Sequence, residues 1–89
     1  MQSIWKFPLQ CADKTVIVMP KGAKVLCVQS QREIPCVWAL VPDTGAEVEQ
    51  ERTFTIYGTG HQHESISGEY VGTFQLQGGA FVFHVFEGK

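Results

Sequence analysis

Two short stretches of this chain hold residue types and spacings that could do chemistry. The first is Gly58-Thr59-Gly60-His61, which directly follows the alternating run Arg52–Tyr57. Paired glycines let backbone N–H groups approach a ligand closely, and concavities of that kind hold phosphates or carboxylates. Arg52 and Lys6 could join as cations, and Trp5 and Tyr57 as stacking surfaces. The expected ligand-binding set is therefore Trp5, Lys6, Arg52, Tyr57, Gly58, Thr59, Gly60 and His61, suited to a small anionic, nucleotide-like ligand. The bend is not a Walker A loop, since no GK[ST] follows, and no helix follows to complete a dinucleotide fingerprint. The bland alternative is a tight turn whose glycines supply positive φ.

The second stretch is His61-Gln62-His63-Glu64. Histidines at i and i+2 point the same way on a strand and could share a metal with Glu64 or Glu69. The spacing onward to an acid does not suit a cupin-type site, and no later histidine motif follows. Neither a metal nor a cofactor is expected. His84, set mid-strand among aromatic residues, reads as a core or interface imidazole with one nitrogen satisfied. Ser65 and Ser67 lie in no nucleophile-elbow sequence, and no carboxylate pair stands out. Catalysis needs a positioned base and a stabiliser; the expectation is a binding protein, not an enzyme.

The elements that must position these residues read as strands. Gly78-Gly79 between two apolar runs signals a hairpin, because a type I′ turn needs φ > 0 at both central positions. That turn pairs Leu76 with Phe81, Phe74 with Phe83 and Gly72 with Val85 on one face. Gln75–Val82, Thr73–His84 and Val71–Phe86 fall on the other. The gap at Gly72 leaves room for a ring or a close backbone approach. Residues 80–86 are apolar on both faces except at His84, and such a strand is covered on both faces by its own fold or by another subunit. Phe81, Phe83 and Phe86 are the expected contacts of a homo-oligomer.

Upstream, residues 3–9 read as a first strand, held to an edge by Pro8, which cannot donate to a ladder. Thr15–Met19 is a β-branched second strand, and Pro20-Lys21-Gly22 suits a type I turn with proline second and glycine fourth. Residues 23–30 and 34–41 form a third and fourth strand. Placing Gln31-Arg32 at their tip sets Cys27 opposite Cys36 on an inward face. Pro42–Gly45 is a turn signal, and residues 46–51 read as a loop or a fraying strand start. Arg52–Tyr57 alternates as a fifth strand. The eleven residues from Gly58 to Gly68 form a loop of a length that is usually functional or disordered. No helical period persists and no repeat is visible. The fold expected is all-β: a single domain over residues 1–89, built as a small antiparallel sandwich or barrel of about seven strands.

Charge and cysteine content set further bounds. A net charge of −2 gives no electrostatic footprint for a nucleic-acid polymer. The charges are uneven: Lys6, Lys14, Lys21 and Lys24 lie near the start of the chain, while Glu47, Glu49 and Glu51 cluster mid-chain. No 18-residue apolar run and no leader pattern is visible, so neither a membrane span nor export is expected. Three cysteines, none in a CxxC pair, point to reduced thiols in a cytosol.

Taken together and in order, IWKFPL, MPKGAKVL, IPCVWALV, IYGTGH and GEYVGTFQLQGGAFVFHVFE resemble a family of small uncharacterised tailed-phage and prophage proteins. The resemblance runs over nearly the whole chain, with residues 43–51 and 62–67 as variable parts. It implies a phage accessory protein made in the host cytoplasm, in keeping with counter-defence roles. One such role is sequestration of a small nucleotide-type host signal. The alternatives are a protein–protein inhibitor of a host defence complex, of the anti-CRISPR or anti-restriction kind, and a minor virion component.

Overall fold

The computed structural model describes residues 1–10, 12–42 and 48–88, and burial alternates most cleanly along residues 14–19 and 37–41. Among the described residues seven strands form in order: β1 Gln2–Pro8, β2 Lys14–Pro20, β3 Lys24–Gln31, β4 Ile34–Pro42, β5 Glu49–Gly58, β6 Glu69–Leu76 and β7 Phe81–Glu87. They make two antiparallel sheets, a three-stranded β1-β4-β3 and a four-stranded β2-β5-β7-β6. The sheets pack face to face without closing into a barrel. Inward-facing Met19, Val37, Ala39, Phe54, Phe74 and Val85 make the dry core between them.

The carboxyl-terminal hairpin forms in the expected register from Leu76–Phe81 to Gly72–Val85. Gly78 (φ 66°) and Gly79 (φ 97°) both lie in the left-handed region, and Ala80 N–H donates to Gln77 O at 3.1 Å. This is the type I′ geometry that only glycine adopts cheaply. Beyond Gly72 a bulge at Val71 shifts the ladder, so Phe86 faces Tyr70 and not Val71. β7 is a central strand, with β5 on one edge and β6 on the other.

The hollow at Gly72 is filled by backbone. A Cβ built there would meet Val28 Cγ1 at 2.9 Å and Val28 N at 3.3 Å, because β3 passes directly over β6. Ser30 Oγ donates to Gln75 O at 3.0 Å, and Gln77 N–H donates to Glu33 Oε1 at 2.6 Å. The two sheets are thus stitched together along the β3–β6 side. On the opposite side β1 and β2 are edge strands, each paired with a single neighbour.

Two local expectations are corrected and a third, left open between loop and strand start, is resolved. The β3–β4 tip is Arg32-Glu33, both at positive φ (51° and 67°). The register therefore moves by two residues in sum: Cys27 faces Trp38, and Cys36 faces Gln29. Neither dipeptide at that tip contains glycine, so composition did not distinguish them. With Val28 and Val37 pointing into the core, alternation puts both cysteines on the opposite face of the sheet, where Cys36 is nevertheless buried and Cys27 half-buried. Both are free thiols. Next, the turn after β2 is type II, with Pro20 first and Gly22 third at φ 86°, and Ala23 N–H donating to Pro20 O at 3.1 Å. Last, residues 49–51 are strand, extending β5 along β2. The turn expected at Pro42–Gly45 falls largely outside the described residues.

Candidate functional site

β5 runs out of the four-stranded sheet at Gly58, where the chain turns sharply. His61 N–H donates to Gly58 O at 3.3 Å, and Gly60 sits third in the turn at φ 84°. The tight-turn alternative is therefore what forms. The imidazole of His61 folds back over the bare backbone of Gly58, where a Cβ would lie 2.6 Å from its Nδ1. Thr59 N–H donates to Val82 O at 3.1 Å. Two amides of the bend are thus committed to the fold instead of facing a ligand.

The eight residues expected to bind a ligand are distributed over three places. Tyr57, Gly58, Thr59, Gly60 and His61 stay together at the end of β5. Arg52 lies near the opposite end of that strand, where its Nε and Nη2 donate to Glu87, the latter at 3.0 Å, and its Nη1 donates to Ala23 O at 2.8 Å. This bidentate pair, about one-sixth exposed on each side, plugs the gap between the sheets. The hydrogen bond to Glu87 pushes the Arg52 guanidinium above its ordinary pKa, with burial working against it. Lys6 is on the other sheet, where its Nζ donates to Gln31 Oε1 at 2.7 Å across the face of β4. Trp5 shares β1 with it, its ring 6.2 Å from that of Phe7.

What gathers instead around the bend is a chain of rings and hydroxyls on the outer face of β5, β7 and β6. The pairing of Tyr57 with His84 and of His84 with Thr73 sets these three side chains in one row. His84 Nε2 lies 2.7 Å from Thr59 Oγ1, and its Nδ1 lies 2.9 Å from Thr73 Oγ1. Thr73 Oγ1 is in turn 2.6 Å from Tyr70 OH. Both imidazole nitrogens are held, so the ring orientation is fixed; the expectation of one satisfied nitrogen undercounts them. Tyr57 meets His63 edge-on at 4.7 Å and Phe86 at 5.6 Å, and Phe86 meets Tyr70 at 5.4 Å. On the side of the strands that carries Phe81 and Phe83, an open hollow of about 510 Å³ is walled by Gly58, Thr59, His61, Phe81 and Phe83, and Thr59 links it to His84. A smaller one of about 120 Å³ adjoins it, reaching His63 and Asp13.

The histidine pair 61 and 63 is drawn to different neighbours, Gly58 and Tyr57. Among the described residues no three His, Cys, Asp or Glu side chains are placed to hold a metal ion. Of the three phenylalanines expected to join copies, Phe83 packs against the core and Phe86 lies between Tyr57 and Tyr70. Phe81 is 48% exposed and stacked on Phe83 at 6.4 Å. His63, Tyr70, Thr73 and His84 were not among the expected site residues. The Thr73–His84 pairing was implicit in the hairpin register, and it was the signal that could have placed His84 on the outer face.

These features define an all-β, two-sheet domain with a polar, aromatic outer face and no deep cleft at the bend. The chain belongs to the DUF7352 family, a domain of unknown function whose model matches residues 1–89. No curated protein and no solved structure matches it. No helix among the described residues is long and apolar enough to cross a membrane.

Proposed function

We propose that this chain is a phage accessory binding protein that captures a small nucleotide-type host signal at the end of β5. The observation that carries this reading is the fixed row Tyr57–His84–Thr73 on the outer face, joined through Thr59 to the open hollow at Gly58–His61. An immobilised imidazole and edge-packed rings give a flat ligand a stacking surface. Stacking of a base on an aromatic side chain contributes about 1–3 kcal/mol without demanding an enclosed pocket. The anionic part of the ligand would meet histidines rather than the Arg52 and Lys6 first expected, since both of these already have partners. Capture is stoichiometric on this reading and needs no catalytic group.

The test is a thermal-shift screen against cyclic oligonucleotides, ADP-ribose derivatives and mononucleotides. The expected outcome is stabilisation by one class, growing with ligand concentration as mass action requires. Stabilisation by none of them, together with co-purification of a stoichiometric host protein, would replace this reading with the protein-inhibitor one.

A further inference from the structure

The charge asymmetry of the sequence and the free edge of β2 find one explanation together. β2 pairs with β5 alone among the described strands. In that ladder Ile56 N–H donates to Asp13 O at 2.9 Å, and Lys21 N–H donates to Val48 O at 2.7 Å. Hydrogen-bonded positions alternate along an antiparallel strand. Thr15, Ile17 and Met19 therefore direct their backbone groups to β5, and Lys14, Val16 and Val18 direct theirs to the open edge. The side chains of Val16 and Val18 are also about half exposed, at 53% and 47%. Nothing in the middle of the strand blunts this edge; the lysine and the proline that usually do so sit at its two ends.

We propose that a second copy of this chain adds to β2, antiparallel about a two-fold axis at Ile17, joining the two four-stranded sheets into one of eight. In that register Val16 lies opposite Val18 of the other copy, so the open-edge N–H and C=O groups of each meet their complements. The four valines close into one apolar patch on the outer face. The ends match as well. Along this face the strand runs from Lys14 to the row of Pro20 and Glu49, with Glu51 beside Val18. An antiparallel partner lays each Lys14 toward the other copy's Glu49 and Glu51. A parallel partner would set lysine against lysine, so the charges select the antiparallel arrangement. The same operation relates both surfaces, so the assembly stops at two copies. The hairpin phenylalanines play no part, because both edges of β7 are already taken.

The test combines light scattering with amide hydrogen exchange on the full chain. Wild type is expected at twice the 9.9 kDa chain mass, falling to that mass on dilution. Val16→Pro removes one open-edge donor while leaving the β5 ladder intact, and Val18→Glu sets a carboxylate against the other copy. Each is expected to halve the mass with an unchanged circular-dichroism spectrum, whereas Phe81→Asp stays dimeric. In wild type the Val16 and Val18 amides are expected to exchange slowly when concentrated and at least tenfold faster when diluted to monomer. A wild type that is monomeric at every concentration overturns the proposal. So does a dimer whose Val16 and Val18 amides exchange as fast as in the monomer, a reading that needs no variant to fold.

Discussion

Replacing Gly72 with alanine probes the stitching of the two sheets with a single methyl group. The added Cβ would sit 2.9 Å from Val28 Cγ1, 3.3 Å from Val28 N and 3.5 Å from Val28 O. Val28 is only 2% exposed, so its side chain has little room to turn away, and two of the three contacts are backbone. Overpacking of this kind costs about 1–3 kcal/mol. Against it stands about 0.4–1 kcal/mol gained by restricting the unfolded chain. The net expectation is a loss of about 1–2 kcal/mol, or a melting temperature lower by about 5–15 °C for a domain of this size. Urea unfolding with an unchanged m-value is the assay. Gly88→Ala, where an added Cβ meets nothing, is the matched control and should leave the midpoint in place or raise it slightly. Combining Gly72→Ala with Val28→Ala should cost less than the two changes separately, by about 1 kcal/mol, since the first contact is then relieved. A neutral Gly72→Ala, or strict additivity in that cycle, would refute the close β3–β6 approach.

Further expectations follow from the same geometry. Arg52→Ala strips Glu87 of a bidentate partner between the sheets and should cost about 1.5–3 kcal/mol, read by thermal unfolding; Arg52→Lys should recover only part of it, because an ammonium cannot make the planar two-point contact. Gly79→Ala forces a φ of 97° on a residue with a side chain and should destabilise by about 1–2 kcal/mol, with slower refolding if the hairpin forms early. Phe54→Ala empties the largest fully buried position and should cost about 3–5 kcal/mol by denaturant titration.

The sequence was most informative where backbone chemistry is local. Gly78-Gly79 specified both the turn and five of the six residue pairs expected, because few other dipeptides satisfy positive φ twice. Pro8 correctly marked an edge strand. The β3–β4 tip was misplaced by one residue along the chain, since Arg32 and Glu33 enter the left-handed region under tertiary constraint and not by preference. The bulges at Leu26 and Val71 carried no compositional mark at all. The candidate site divides the same way. The bend after β5 was legible as Gly-Thr-Gly, but the partners of Arg52 lie 29 and 35 residues away and follow from strand order. Without that order, a free cation and a spent one look alike. Likewise composition left open whether an apolar β7 is covered by its own fold or by another subunit; strand order makes it a central strand, with its inner face in the core and Phe86 of its outer face between Tyr57 and Tyr70.

The most direct test of the capture reading is isothermal titration of wild type and His63→Ala with whichever nucleotide class stabilises the protein. His63 is exposed, on a loop, and touches Tyr57 edge-on, so its removal should leave the fold intact. The account expects one ligand per site for wild type and binding weakened about tenfold or more by His63→Ala, at an unchanged melting temperature for the free protein. Equal affinity of the two proteins, or no measurable heat with any nucleotide, would contradict it.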